Sequence, residues 1–378
     1  MNNAELFYLN GKILAPVSRA GERDEIADCF SQSGFDWTRW INLSSNHLVL
    51  QALYARLSLY DLLHLLPGEV KDHLFMIYDM NRKRNLELMK QVEDLNSVLS
   101  AENITPVYMK GVAHILDGHY SDPAERLLLD IDFLVPERDW ERSATLLMKN
   151  GYQTSRPYDP LKKESLKHFP RLHKPGAPFY VEIHRLVVPQ NYADSFSTET
   201  ALSESRFTVR DKRCAVLSEK HMVYQNFIHS QLQHKSHLYA RIFMRNLYDL
   251  LVLSSRTDVF AALQSIKGFE KQKAGYADVF IRTFGLDPKS YSFPVNYRHR
   301  YAKRFDASLR SGFISGVNYF VIYFFDRIIP KIFRSYIRTP IRALFDKDAR
   351  RYLGRKLRDP LLIRNQFRFF HRWIHGKT

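Results

Sequence analysis

An α+β fold follows from three features of this sequence: helical spacing through the first hundred residues, short strand-like runs after residue 101, and a return to helical spacing after residue 191. The expected organisation is a helical region over 1–100, an α/β core over 101–190, a helical region packed on that core over 191–295, and a basic, aromatic-rich helical extension over 296–378. A chain of 378 residues is long enough for such a division and for a sizeable buried core.

Each element has its own signal. WTRWINLSSNHLVLQALYARLSLYDLLHLLP places apolar residues three and four apart until Pro67-Gly68 breaks it. From about Lys71 to Leu99, Leu74, Ile77, Leu86, Leu88, Met89, Val92, Leu95 and Val98 form mostly one apolar face, so a long amphipathic helix is expected. ITPVYMKG then reads as a strand and VAHILDGHY as a short helix. LLLDIDFLV alternates: Leu129, Ile131, Phe133 and Val135 point one way, and Asp130, Asp132 and Leu134 the other, until Pro136 ends the strand. ERDWERSATLLMKNGY carries acidic residues in its first turn and a stopping Gly151, the pattern of a helix. PFYVEIHRLVV is a further strand with Tyr180, Glu182 and His184 on one face. Residues 218–253 return to helix, and no internal repeat or low-complexity segment appears.

Composition excludes several classes. With 45% hydrophobic and 25% charged residues the chain is an ordinary folded protein, not a disordered one. Two cysteines, Cys29 and Cys214, supply neither a disulfide framework nor a zinc site and fit a reducing cytoplasm. The opening MNNAELFYLNGKILAP lacks the features of a secretory leader. GFISGVNYFVIYFF, residues 312–325, falls short of the ~20 residues of a spanning helix. A cytoplasmic protein, with peripheral membrane association as a variant of that placement, is expected.

The chemistry is carried by carboxylates. On a strand, Asp130 and Asp132 project side by side, and two adjacent anions repel unless a cation lies between them. Oxygen ligands of this kind suit Mg2+ or Mn2+. By itself an Asp-x-Asp pair arises often on exposed strands. Here the flanking LLL and FLV give the strand a buried side, and a third carboxylate, Glu182, sits inside another apolar strand, where an unpaired charge is costly. One metal site would account for all three.

The assembly resembles the uncharacterised nucleotidyltransferase family of bacteria, a branch of the DNA polymerase beta-like nucleotidyltransferase superfamily. The residues that carry the likeness are Lys110-Gly111 after an apolar strand, Arg126 ahead of Asp130-Ile131-Asp132-Phe133-Leu134-Val135, Gly151-Tyr152, and Val181-Glu182-Ile183-His184. It runs over roughly residues 40 to 255, into RNLYDLLVL. The resemblance implies a small mixed sheet with helices on one side, and transfer of a nucleoside monophosphate from a nucleoside triphosphate with release of pyrophosphate. It implies that Asp130 and Asp132 bind the metals, that Glu182 is the third acidic ligand or the base, that Gly111 lets the backbone approach the triphosphate, and that Lys110 or Arg126 neutralises it. His184, on the same strand face as Glu182, is read either as orienting a carboxylate or touching a phosphate, or as a hydrogen-bonded structural histidine; Asp249 matches a helical aspartate of the family and would cap or brace the wall of the site. The wider superfamily usually has Gly-Ser or Gly-Gly about ten residues before its acidic pair. Here the pair is Lys-Gly, and Gly111 precedes Asp130 by 130 − 111 = 19 positions, a spacing the narrower family shares.

The acceptor is unassigned between a protein side chain, a saccharide intermediate and a small molecule; an association of the family with surface polysaccharide production favours the saccharide by analogy. Two alternatives stand beside this reading. A glycosyltransferase also uses Asp-x-Asp to hold a metal, but no doubly wound series precedes the pair here. A catalytically silent adaptor would have no reason to keep three clustered carboxylates. His168 and His173, and the group His229, His234 and His237, are read as loop and helix-surface residues.

The formal charge of +16 is concentrated at one end. Residues 298–378 hold 20 Lys and Arg against five Asp, 20 − 5 = +15, which leaves 16 − 15 = +1 for the first 297. Such a bias concerns partners rather than fold. RNQFRFFHRWIHGK and PKIFRSYIRTPIRALF interleave basic and aromatic residues, a composition suited to an anionic membrane face, to nucleic acid, or to a plain helical extension with its aromatics packed inward.

Overall fold

The computed structural model describes residues 1–16, 20–287, 295–333, 339–347, 350–351 and 354. The chain forms two compact units, Met1–Gly312 and Phe313–Thr378.

In the first unit, a seven-stranded mixed sheet is built from β1 (Val107–Tyr108), β2 (Asp130–Leu134), β3 (Gln153–Thr154), β4 (Leu172–His173), β5 (Tyr180–His184), β6 (Arg206–Phe207) and β7 (Ala215–Val216). Its order is β3-β4-β5-β2-β1-β7-β6. The two five-residue strands, β2 and β5, therefore lie side by side at its centre. They run parallel, with Asp130 opposite Tyr180, Asp132 opposite Glu182 and Leu134 opposite His184. β1 pairs antiparallel with β2 and parallel with β7. β3, β4 and β5 form antiparallel pairs.

Buried Ile131, Phe133, Val181 and Ile183 hold the central strands from behind. Asp132, Leu134, Glu182 and His184 are buried as well, so this pair has two covered faces. Leu129, placed by alternation on the inner face, is 58% exposed because the strand begins only at Asp130. The helix expected over 137–150 spans Glu137–Lys149. It ends where Gly151 takes φ +89, a left-handed conformation that costs glycine nothing, and Tyr152 N–H returns to Leu147 O.

The amphipathic helix expected over 71–99 spans Gly68–Ser100. Its buried face includes Leu74, Leu88, Val92 and Leu95, but also Asn81 and Asn85, whereas Leu86 is exposed. The asparagines are inside because they have carbonyls to serve. Asn81 Nδ2 donates to Ala124 O (2.7 Å) and Arg126 O, and Asn85 Nδ2 donates to Pro123 O and Arg126 O (2.8 Å). The chain leading into β2 is thereby tied to the longest helix described. The single helical stretch expected over 37–66 is two helices, Trp37–Asn46 and Leu50–Leu59, parted where Leu48 adopts φ +61. Helices Glu219–Phe227, Met244–Leu253 and Glu270–Phe284 fill the helical region after the sheet. Between the first two lies a π turn, Ile228–Gln233.

In the second unit, the described elements are Gly312–Tyr323 (which opens at the last residue of the first unit), a π turn at Phe324–Ile328, and helices Ile329–Ile332 and Thr339–Phe345. No helix among the described residues is long and apolar enough to cross a membrane. RNQFRFFHRWIHGK lies outside the described residues.

Candidate active site

The β2–β5 register decides which side chains meet. Because Asp132 stands opposite Glu182 in parallel strands, their side chains leave the sheet on the same face. His184, two residues beyond Glu182, joins them. Its Nε2 lies 2.7 Å from Asp132 Oδ1 and 3.4 Å from Glu182 Oε2. One donor atom from each of Asp132, Glu182 and His184 falls within 4.8 Å of the others, and all three residues are buried. Asp130, one pleat earlier on the same face, is only half-buried and opens this cluster towards solvent.

Two cations of the chain itself face these acids. Lys110 Nζ sits 2.5 Å from Asp132 Oδ1 and 3.9 Å from Glu182 Oε2. Arg171 Nε donates to Glu182 Oε1 (2.5 Å), and its Nη2 lies 3.8 Å from Asp130 Oδ2. Lys110 is held in place at a cost. Its φ is +58, unusual for a residue with a Cβ, and its N–H is caught by Gln225 Oε1 at 2.9 Å. Met109 N–H bonds Asp132 O, so the residue before the lysine is tied directly to β2.

The electrostatics follow from this packing. Burial pushes the Asp130 carboxyl up to about 7, and the neighbouring Asp132 charge adds to that. Burial acts on Asp132 in the same sense, but Lys110 and the His184 hydrogen bond outweigh it and leave its carboxyl well below the usual range. Glu182 behaves alike: burial is overcome by the His184 hydrogen bond and the Lys110 charge, which bring it down to about 2. Two acids are thus ionised whatever the physiological pH, and the third is poised near neutrality. Lys167, beside the same cluster, is pulled down to about 8 by burial and by the charge of Lys110.

The other expected site residues are placed as follows. Arg126 is buried and bound to Asp249, Nε to Oδ1 at 2.7 Å and Nη2 to Oδ2 at 2.9 Å. Asp249 also accepts from Tyr120 Oη at 2.6 Å. The Arg126 guanidinium is therefore spent on the protein's own carboxylate. A Cβ at Gly111 would stand 2.3 Å from Leu128 Cδ2 and 3.5 Å from the Arg126 guanidinium carbon, so the glycine makes room for this packing. His168 Nε2 lies 3.9 Å from Glu182 Oε2, at the border of the site. His229 and His234 face each other, Nε2 to Nε2 at 3.1 Å, and His237 bonds the Gln231 carbonyl. Lys167 and Arg171 are the residues sequence reasoning missed. Both lie in KHFPRLHKPG, a stretch without periodicity; Arg171 directly precedes β4, which pairs with β5, and the Lys167 carbonyl accepts from Arg185 N–H and Leu186 N–H just past β5.

Three clustered carboxylates, two of them ionised and buried, form an oxygen-rich donor set of the kind that hard divalent ions prefer. The residues present fit Mg2+ or Mn2+.

Compared with known proteins, residues 33–266 match the family described as uncharacterised nucleotidyltransferase. No curated protein and no solved structure matches the chain.

Proposed function

The chain belongs to the uncharacterised nucleotidyltransferase family, and we propose that it transfers a nucleoside monophosphate from a nucleoside triphosphate to a hydroxyl-bearing acceptor, with Asp130, Asp132 and Glu182 holding the divalent ions. The observation that carries this reading is the register that sets Asp132 against Glu182 on one face, with Asp130 one pleat away. When bound, the metal supplies charge stabilisation at the phosphates and activates the attacking hydroxyl.

The rest falls to the side chains. His184 donates from Nε2 to Asp132 and fixes the direction of its free oxygen. Lys110 and Arg171 balance the acids when nothing else does. With the acids occupied by a metal, the same two side chains would be placed to neutralise phosphate oxygens. Asp130 holds a proton near neutral pH until a stronger cation displaces it. Arg126 acts at one remove, as the partner that fixes Asp249 and the wall behind Gly111.

The test is thermal unfolding with each of the four nucleoside triphosphates and the common sugar nucleotides, with Mg2+ or Mn2+, for the intact chain and an Asp130→Ala, Asp132→Ala double variant. A ligand at ~100 times its dissociation constant adds ~2.7 kcal/mol of stability. A triphosphate that stabilises only the intact chain, and only with metal, supports the proposal. Transfer of label from the α-phosphate to candidate acceptors would then identify the acceptor. Stabilisation by sugar nucleotides alone would replace it with glycosyl transfer.

A further inference from the structure

The described residues distribute their exposed large hydrophobic side chains very unevenly. Thirteen occur across Met1–Gly312, and twelve occur between Phe313 and Phe345 alone. Phe313 is 80% exposed, Phe325 63%, Leu344 70% and Phe345 85%. Helix Gly312–Tyr323 buries none of its residues. A patch this dense on a water-facing surface marks a binding surface.

The charge of the same unit says what covers it. Phe313–Thr378 holds 15 Lys and Arg against four Asp, 15 − 4 = +11. A second copy of the unit would bring a like charge of the same size, which opposes self-association. Nucleic acid would satisfy the charge, but Val317, Ile329, Ile341 and Leu344 offer neither a stacking face nor a hydrogen bond to it. An anionic bilayer satisfies both halves of the composition, with acyl chains for the aliphatic and aromatic side chains and headgroups for the cations. Among the described residues no helix is long and apolar enough to cross a bilayer, and Asp326 and Arg327 end the apolar run at residue 325.

We propose that the unit Phe313–Thr378 docks the protein on an anionic lipid surface, with helix Gly312–Tyr323 lying in the plane of the interface. It is independent of the nucleotidyl-transfer reading, because it uses none of the residues of that site.

The experiment is co-sedimentation of the full chain with phosphatidylcholine vesicles, with and without about one third phosphatidylglycerol. Strong binding is expected only to the anionic vesicles, weakening as salt is raised because the headgroup attraction is screened. Phe313→Ser with Phe325→Ser should weaken binding by at least about tenfold. Lys347→Gln and Arg350→Gln, at exposed positions, should each weaken it about fivefold. The charge variants alone decide the matter if the phenylalanine variant melts early. Equal binding to neutral and anionic vesicles, or none to either, overturns the proposal. So does self-association that the phenylalanine variant abolishes, or retention on RNA or DNA without retention on vesicles.

Discussion

Two acidic clusters of this protein look alike in composition and differ in how they are neutralised. The first is Asp130, Asp132 and Glu182 with Lys110 and Arg171. The second joins Asp117 and Glu219 with Arg206, Arg256 and the buried side chain of His119. In the second, two guanidinium groups meet two carboxylates. Arg206 grips Asp117 with both terminal nitrogens and reaches Glu219 at 2.6 Å, and Arg256 lies 3.2 Å from Asp117. Every charge there has a fixed opposite, so an arriving cation would have to break pairs that are already good. In the first, Asp132 is paired with Lys110 and Glu182 with Arg171, while Asp130 has its nearest ion-pair partner only at 3.8 Å. Counting acids does not distinguish the two clusters; the closeness with which each carboxylate is paired does.

Substitutions should separate the two clusters sharply. Under the proposed function, Asp132→Asn is expected to lower nucleotidyl transfer by about 10³-fold, while leaving the chain folded. Label release from an α-phosphate-labelled triphosphate reads the loss, and a rate within tenfold of the parent would detach Asp132 from the chemistry. Next in size comes acid sensitivity around the structural knot. His114, packed against His119 with ring centroids 5.2 Å apart, is pushed down to about 4 by burial. The unfolded chain takes up this proton near pH 6.5 and the folded one only near 4. Stability is therefore complete above ~6.5 and declines towards pH 4 by about 3 kcal/mol. Urea midpoints between pH 7 and 4.5 should fall accordingly, and less steeply in His114→Gln. An unchanged slope in that variant would assign the acid sensitivity elsewhere.

Asp117→Asn should leave transfer intact and cost about 1–2 kcal/mol of folding stability, because the two arginines it serves are partly exposed and recover some solvation. Loss of activity without loss of stability would mean that the second cluster belongs to the site. The smallest expected effect is the most diagnostic. Arg171→Gln, at a half-exposed position, should tighten the binding of Mn2+ alone severalfold, on the order of 1 kcal/mol, yet loosen Mn2+ together with triphosphate. Electron paramagnetic resonance of free Mn2+ measures both. A variant that binds metal alone no better than the parent would show that Arg171 is not the charge a metal displaces.

Much of this site was legible in the amino-acid order. Alternation in LLLDIDFLV and FYVEIH put Asp130, Asp132, Glu182 and His184 on predictable faces, and Lys110 stood at the end of an apolar run. Alternation cannot say which strands are neighbours, and the pairing of Asp132 with Glu182 is a fact of topology. Arg171 escaped notice because β4 is two residues long, too short for any period to show. The place of Arg126 just ahead of β2 is plain in the sequence, but its partner Asp249 lies 123 positions away on another element. β6 and β7 were missed for the same reason as β4, and Asn81 and Asn85 because buried amides carry no periodic signal.

The parallel pairing of β2 and β5 also bears on how the protein reaches its working form. Leu134 and Tyr180 are separated by 180 − 134 = 46 positions, occupied by a helix and an antiparallel pair. A loop of that span must close before any two of the acids from different strands can meet, a slow kind of event in folding. Were β5 to slip by one residue, Val181 or Ile183 would stand opposite Asp132, and Glu182 would be driven into the apolar layer behind the sheet. The chain arrangement that hides the oily residues is thus the same one that gathers the acids. A chain misaligned by one residue would lose its apolar packing and its gathered acids together.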